Sequence, residues 1–160
     1  MQKIKGIWLY GLAGSGKTYA SSFLKKIKKN SFVIDGHKIR EIISSDLKYD
    51  LKSRIIQLNR LYGIALLAIY NGYFPIISSV YIDNNIIKKL KKKKIISIKI
   101  TRNIKTLKKI RPIYQKSKNV VGKDIFYKNI KHKEILNNSK KELYLSLMKM
   151  INLKPIKRFN

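Results

Sequence analysis

Apolar residues along the chain fall into two alternating kinds of run. Four short blocks rich in β-branched residues, over 4–10, 31–34, 74–79 and 95–100, have the length and composition of buried strands. Between them the apolar positions repeat at helical spacing. Ala20, Phe23, Leu24 and Ile27 stand at i, i+3, i+4 and i+7, one face of a helix. The second block ends in Asp35-Gly36-His37 and leads into a short helix expected over 38–43. Asp50 is an N-cap for a long helix to 70, which Asn71-Gly72 closes. Its first turns carry Arg54, Gln57, Asn59 and Arg60 and should face a cleft, while its later, almost wholly apolar turns should pack under a sheet. Asp83 caps a helix over 84–92. The basic segment 102–118 begins helical and breaks at Pro112, and 113–124, with few core residues, reads as a mobile lid. A last strand is expected over 133–136. The capping box Ser139-Lys140-Lys141-Glu142 then opens a helix over 139–151 with Leu143, Leu147, Met150 and Ile151 on one face. The tail from 152 is expected to be loose.

Strands alternating with helices predict one three-layer α/β domain over 1–160, a parallel sheet of about five strands flanked by helices. Residues 61–82 are 22 positions without a charge, long enough for a membrane span. Asn71-Gly72 and Pro75 break the run, so a buried helix, a turn and a strand account for it, and no membrane association is expected. The first strand starts so close to the N-terminus that no signal segment is expected. There is no cysteine, which excludes disulfides and thiolate metal sites and fits a reducing cytoplasm.

Lys and Arg number 37 against 8 Asp and Glu, a formal charge of +29. Such an excess points first to a polyanionic partner. It is mostly lysine, however, spread along the chain beside abundant Ile and Asn, the composition that an AT-rich genome encodes. The run Lys88-Lys89-Leu90-Lys91-Lys92-Lys93-Lys94 reads as a solvated helix end, and nucleic acid is not the expected partner.

The chemistry concentrates between the first strand and the first helix. Gly11-Leu12-Ala13-Gly14-Ser15-Gly16-Lys17-Thr18 fits G-x-x-x-x-G-K-[ST], the phosphate-binding loop, with the required strand before it and helix after it. Glycines let successive backbone N–H groups turn inward around a phosphate at a helix N-terminus. Lys17 would reach the β- and γ-phosphate oxygens and the Thr18 hydroxyl would ligate Mg²⁺. Asp35 ends a neighbouring strand, where ligands of open α/β sheets bind, although an Asp-Gly turn alone would explain it.

The order Trp-Leu-x-Gly-Leu-x-Gly-Ser-Gly-Lys-Thr (Trp8 to Thr18), then Asp-Gly-x-x-x-Arg (Asp35 to Arg40), resembles the adenylylsulfate kinases, which phosphorylate the ribose 3′-hydroxyl of adenylyl sulfate with ATP and Mg²⁺. The likeness continues through Asp46-Leu47-x-Tyr49, Arg54-x-x-Gln57-x-x-Arg60, Ser79-Val80-Tyr81, Tyr114-Gln115-Lys116 and Lys118-Asn119-Val120-Val121-Gly122-Lys123-Asp124, from about 4 to 136. His37 stands where the family has a second acid, Asn59 replaces an Arg and Gln57 an Asn. The family's two Phe rings around the substrate base correspond to Tyr49 and Val120, so one stacking face is missing. Within the family the chain is similar to the branch that phosphorylates cytidine diphosphoramidate in capsule phosphoramidate biosynthesis. The expected acceptor is therefore that pyrimidine nucleotide, with adenylyl sulfate as the alternative; the base rests on the resemblance and the missing ring.

By resemblance, Gly11, Ala13, Gly14, Ser15, Gly16, Lys17 and Thr18 hold ATP, and Arg111 contacts either its adenine or its γ-phosphate. Arg40, Arg54, Gln57 and Arg60 grip the acceptor, with Tyr49, Tyr81 and Val120 around it. Asp35 orients the 3′-hydroxyl and accepts its proton, and His37 either assists or fills the lost acid's place. Ser79 matches a serine the family can phosphorylate, or is a polar cleft residue. Lys116 and Lys118 on the lid would close over the phosphates. Family members often pair, so the resemblance is compatible with a homodimer, while the sequence leaves the oligomeric state open. From another class, a basic nucleic-acid-binding protein with a vestigial phosphate loop explains the charge but not the arginines or Asp-Gly-x-x-x-Arg.

Overall fold

In the computed structural model, which describes residues 3–128, 130 and 133–152, strands β1 (Gly6–Tyr10), β2 (Ser31–Asp35), β3 (Phe74–Ser79), β4 (Ile95–Thr101) and β5 (Lys133–Leu136) form one sheet in the order β2-β3-β1-β4-β5. Every pairing is parallel. Helices α1 (Lys17–Ile27), α2 (Gly36–Ile42), α3 (Leu51–Tyr70), α4 (Asn84–Lys92), α5 (Ile104–Ile110), α6 (Ile113–Lys116) and α7 (Lys140–Met150) connect and flank the strands. The tail beyond 152 lies outside the described residues.

The central strand shows why the blocks read as continuous apolar runs. Side chains alternate across a strand, and β1 is buried on both faces. Trp8 and Tyr10 enter one core with Leu58, Leu61 and Ala65 of α3 and Ile86 and Leu90 of α4. Ile7 and Leu9 enter the other, with Phe23 and Leu24 of α1 and Leu143 and Leu147 of α7. The chain leaves β1 toward β3 and β2 on one side and returns to β4 on the other. The loop after β1 therefore sits at the point where the strand order reverses, where open α/β sheets place their ligand crevice.

The expected caps are made. Asp50 accepts from the Ser53 amide, Asp83 from Ile86 and Ser139 from Glu142. Three expectations need correction. Helix α2 starts at Gly36 rather than 38, because Asp35 caps it through its own carboxylate. The late turns of α3 are not all core: Leu67 and Tyr70 are exposed, since the sheet covers only one stripe of the helix. On α7 the buried set is Leu143, Tyr144, Leu147 and Met148, while Met150 and Ile151 are only partly covered.

The segment 113–124 departs furthest from its expectation. Tyr114, Val120 and Val121 are buried. Tyr114 and Val120 pack with Leu107 against Leu12 and Ala13 of the loop after β1. The Tyr114 hydroxyl donates to the Ala13 carbonyl at 3.0 Å. A tight turn holds Val120, whose N–H donates to Asp124 Oδ2 at 2.8 Å. At Gly122 (φ +88°) a Cβ would come within 2.6 Å of Leu12. The lid is docked on the phosphate loop by side chains whose scattered spacing carries no periodic signal.

Candidate active site

At the carboxyl ends of β1, β2 and β3 lies a cavity of about 520 Å³. Its rim combines the phosphate loop, the start of α2, the first turns of α3 and the lid. Loop geometry explains the glycines at two positions. A Cβ on Gly11 (φ +148°) would lie 2.1 Å from the Ile100 carbonyl, and one on Gly16 (φ +107°) 2.3 Å from Asn137 Nδ2. Gly16 ends in the left-handed region as the N-cap of α1, so the loop amides run directly into a helix N-terminus.

Lys17 lies along the loop, its Nζ donating to the carbonyls of Gly11 at 2.8 Å and Leu12 at 2.9 Å. Burial pushes its ammonium down to about 8, helped by the nearby Arg111 guanidinium and opposed by the Asp35 carboxylate. Arg111 reaches over the loop, and a Cβ on Gly14 would meet its Cγ and Nε at 3.0 Å. Ala13, Gly14, Lys17, Thr18 and Arg111 all line the cavity, and Ser15 is buried behind it.

Asp35 faces Lys17 across the cavity and is held at both oxygens. Oδ1 accepts from the N–H groups of His37 (2.8 Å) and Lys38 (3.3 Å), and Oδ2 from the Ser78 hydroxyl (3.1 Å). It is at once the cap of α2 and the only carboxylate among the described lining residues. His37 also lines the cavity, but its exposed ring meets Glu41 one turn on, Nε2 to Oε1 at 3.2 Å.

On the far wall, Arg40 and Arg54 flank the Tyr49 ring, their guanidinium carbons 4.7 and 5.8 Å from its centroid. Arg40 is steadied by the Leu47 and Lys48 carbonyls. Arg54 donates to Tyr49 O at 2.9 Å and to Asn119 O at 2.8 Å, tying α3 to the lid. Burial, then the neighbouring Arg40 charge, lowers the pKa of Arg54. Tyr49 and Val120 line the same cavity. Tyr81 also lines the cavity and stacks on Tyr127, 6.2 Å between centroids.

Four predicted residues are placed otherwise. Arg60 turns from the cavity and pairs through both terminal nitrogens with Asp46, at 2.5 and 2.8 Å, pinning the α2–α3 loop to α3. Lys116 and Lys118 are exposed and outside the cavity lining. Ser79 lines the cavity, but its hydroxyl accepts from Trp8 Nε1 at 2.8 Å and donates to the Tyr81 carbonyl at 2.7 Å, so it braces the core. Sequence reasoning missed Ser78, which holds Asp35. It also missed Asn137, whose Nδ2 donates to the Ser15 carbonyl at 2.7 Å and clamps the phosphate loop from the end of β5. The only signal for Asn137 is a polar amide just past a strand end.

A family profile, Adenylylsulphate kinase, matches residues 3–136. The chain belongs to that family. The adenylyl-sulfate kinase of Clostridium acetobutylicum is 33% identical over 130 residues, covering 74% of this chain and 65% of that protein. The adenylyl-sulfate kinase of Buchnera aphidicola from Acyrthosiphon pisum is 31% identical over 78 residues, 46% of this chain and 38% of that protein. The matched segments thus span less than two thirds of these relatives' own lengths. Among solved structures, an APS kinase of Mycobacterium tuberculosis in complex with AMPPNP and APS superposes with a TM-score of 0.77 at 18% identity, over 94% of this chain and 97% of that one. That likeness establishes the shared parallel-sheet kinase fold. Among the described residues no helix is long and apolar enough to cross a membrane.

Proposed function

We propose that this protein transfers the γ-phosphoryl group of ATP to the ribose 3′-hydroxyl of a nucleotide. The observation that carries the reading is one cavity with Lys17 and Arg111 on its phosphate-loop side, Arg40, Arg54 and Tyr49 on the opposite side, and Asp35 between them. The names of the curated relatives favour adenylyl sulfate as the acceptor. They support the alternative of the sequence expectation better than its first reading. Cytidine diphosphoramidate remains the second reading, favoured by Val120 standing where the family has the second of its two Phe rings, the first being matched by Tyr49.

Phosphoryl transfer needs positioning and charge neutralisation more than covalent chemistry. Loop amides and Lys17 would cradle the triphosphate, with Arg111 over its outer end. Arg40 and Arg54 suit the acceptor's phosphate oxygens through their planar donor forks. Asp35, fixed by three hydrogen bonds, would orient the 3′-hydroxyl and take its proton. Mg²⁺ binds through one or two protein oxygens plus phosphates and water, so the cavity-lining Thr18 hydroxyl, with Asp35 nearby, is a sufficient donor set. The ion would neutralise charge on the β- and γ-phosphates.

The acceptor is decided by ADP release with adenylyl sulfate, cytidine diphosphoramidate and plain CDP, compared by kcat/KM. Highest efficiency with adenylyl sulfate is expected; preference for a cytidine nucleotide would establish the second reading, and no release with any nucleotide would remove the kinase assignment.

The nucleotide site also predicts a pH effect. Free Lys17 loses its proton around pH 8, and pairing with a triphosphate would raise its pKa back toward the ordinary lysine range. Above that pH the bound state holds more protons, so binding should take up about one proton and affinity should fall as pH rises. Well below it, Lys17 contributes no uptake. Titration calorimetry with a non-hydrolysable ATP analogue, in two buffers of different ionisation enthalpy at pH 7 and pH 9, would show the difference.

A further inference from the structure

Two side chains that stand outside the cavity grip the phosphate loop from behind. Asn137, directly after β5, donates from Nδ2 to the Ser15 carbonyl at 2.7 Å. Tyr114, on the lid, donates from its hydroxyl to the Ala13 carbonyl at 3.0 Å. Neither residue lines the cavity, so both draw their carbonyls away from it. Asn137 is itself fixed, since its backbone N–H donates to the Thr101 carbonyl at the end of β4, 2.8 Å away. Because its partner on the loop is a carbonyl, the side-chain amide must present its nitrogen there. The contact is also tightly packed. A Cβ on residue 16 would meet Nδ2 at 2.3 Å, so only glycine at that position leaves room for Asn137.

In a trans peptide the carbonyl and the N–H of the next residue point in opposite directions. Holding the Ser15 carbonyl outward therefore turns the Gly16 N–H inward, and holding the Ala13 carbonyl does the same for the Gly14 N–H. Neither N–H has a backbone acceptor among the described residues. These two peptides need such holding. Each ends at a glycine of positive φ, +84° at Gly14 and +107° at Gly16, and glycine lets the preceding peptide rotate at little steric cost. The freedom that allows the loop to form leaves the direction of its amides to be set from elsewhere in the chain. Donors fixed in advance are effective because they need not turn when charge arrives.

We infer that Asn137 is a positioning residue for the nucleotide phosphates, acting by fixing the Gly16 amide, while Tyr114 fixes the Gly14 amide in the same way. The inference rests on the nucleotide-kinase reading and deepens it: the phosphate donors are oriented by the edge of the sheet on one side and by the lid on the other. Tyr114 makes the lid part of the device, because undocking the lid releases the Ala13–Gly14 peptide.

The test measures, on the intact protein, affinity for a non-hydrolysable ATP analogue and for inorganic tripolyphosphate, beside the acceptor KM from ADP release. Asn137→Leu nearly keeps the side-chain shape and loses the donor, so it should weaken both phosphate ligands by about 10- to 100-fold. The acceptor KM should stay within about twofold, since no acceptor contact changes. Tyr114→Phe keeps the buried ring and loses only the hydroxyl, and should weaken the same two ligands by about three- to tenfold. A folded Asn137→Leu protein with wild-type affinity for the analogue overturns the inference. So does a loss shared equally by analogue and acceptor together with a lowered thermal midpoint, since Asn137 would then only support the end of β5. Asn137→Ala, which demands no space beside Gly16, takes its place under the same expectations if leucine is not accommodated. Weaker phosphate binding by the variants of a protein that releases no ADP with any acceptor would sink the kinase reading and uphold the positioning role.

Discussion

Lys17→Ala is expected to cut kcat by about 10³-fold or more while the protein stays folded, because the cation that follows charge onto the transferring phosphoryl group is lost. The side chain is not part of either core. Its Nζ contacts only the carbonyls of Gly11 and Leu12, both in the loop itself. Removing it relieves a partly buried charge and leaves two carbonyls that water can reach through the cavity. Circular dichroism should therefore be unchanged, and the thermal midpoint should move little. Single-turnover kinetics with saturating ATP would separate chemistry from weakened binding. A folded Lys17→Ala protein with near-normal kcat would mean that the loop does not hold a reacting triphosphate.

Asp35→Asn should lower kcat by about 10²- to 10⁴-fold with KM for both substrates changed far less. The structure makes this a clean substitution. Asparagine caps helices about as well as aspartate, so Oδ1 can still accept from the amides of His37 and Lys38. Its Nδ2 can donate to the Ser78 hydroxyl, which now accepts instead of donating. Shape and hydrogen bonding persist, and only the proton acceptor disappears. A loss below about tenfold would assign Asp35 to capping alone and move attention to His37. His37 is poorly placed for that role as it stands, since its ring engages Glu41 on the exposed side of α2.

What could be read from the chain was what is encoded locally. Strand blocks, the phosphate loop and the caps Asp50, Asp83 and Ser139 each depend on residues a few positions apart, and each formed as expected. Asp35 shows how two local readings can both hold, because the turn-and-cap residue is also the carboxylate of the cavity. What could not be read depends on distant partners. Arg60 resembles an acceptor-binding arginine by spacing, but the exposed Asp46, fourteen positions earlier, takes its guanidinium. That hydrogen bond holds the Asp46 carboxyl below the usual range. Asn137 clamps Ser15 across 122 positions. The lid looked coreless because Tyr114, Val120 and Val121 are isolated among polar residues, and their packing surface, Leu12 and Ala13, lies in another motif altogether. Burial of Val120 also changes how base selectivity can be probed. A Val120→Phe exchange would crowd the Leu107–Tyr114 cluster as well as the cavity, so acceptor comparisons on the wild type are the cleaner readout.

The most direct test of the central claim is the product itself. With ATP, Mg²⁺ and adenylyl sulfate, the wild-type protein should release one ADP for each acceptor consumed, and phosphorus NMR should place the new phosphate on the ribose 3′ oxygen. ADP release that proceeds equally without an acceptor, or a phosphate found at another position, would contradict the account.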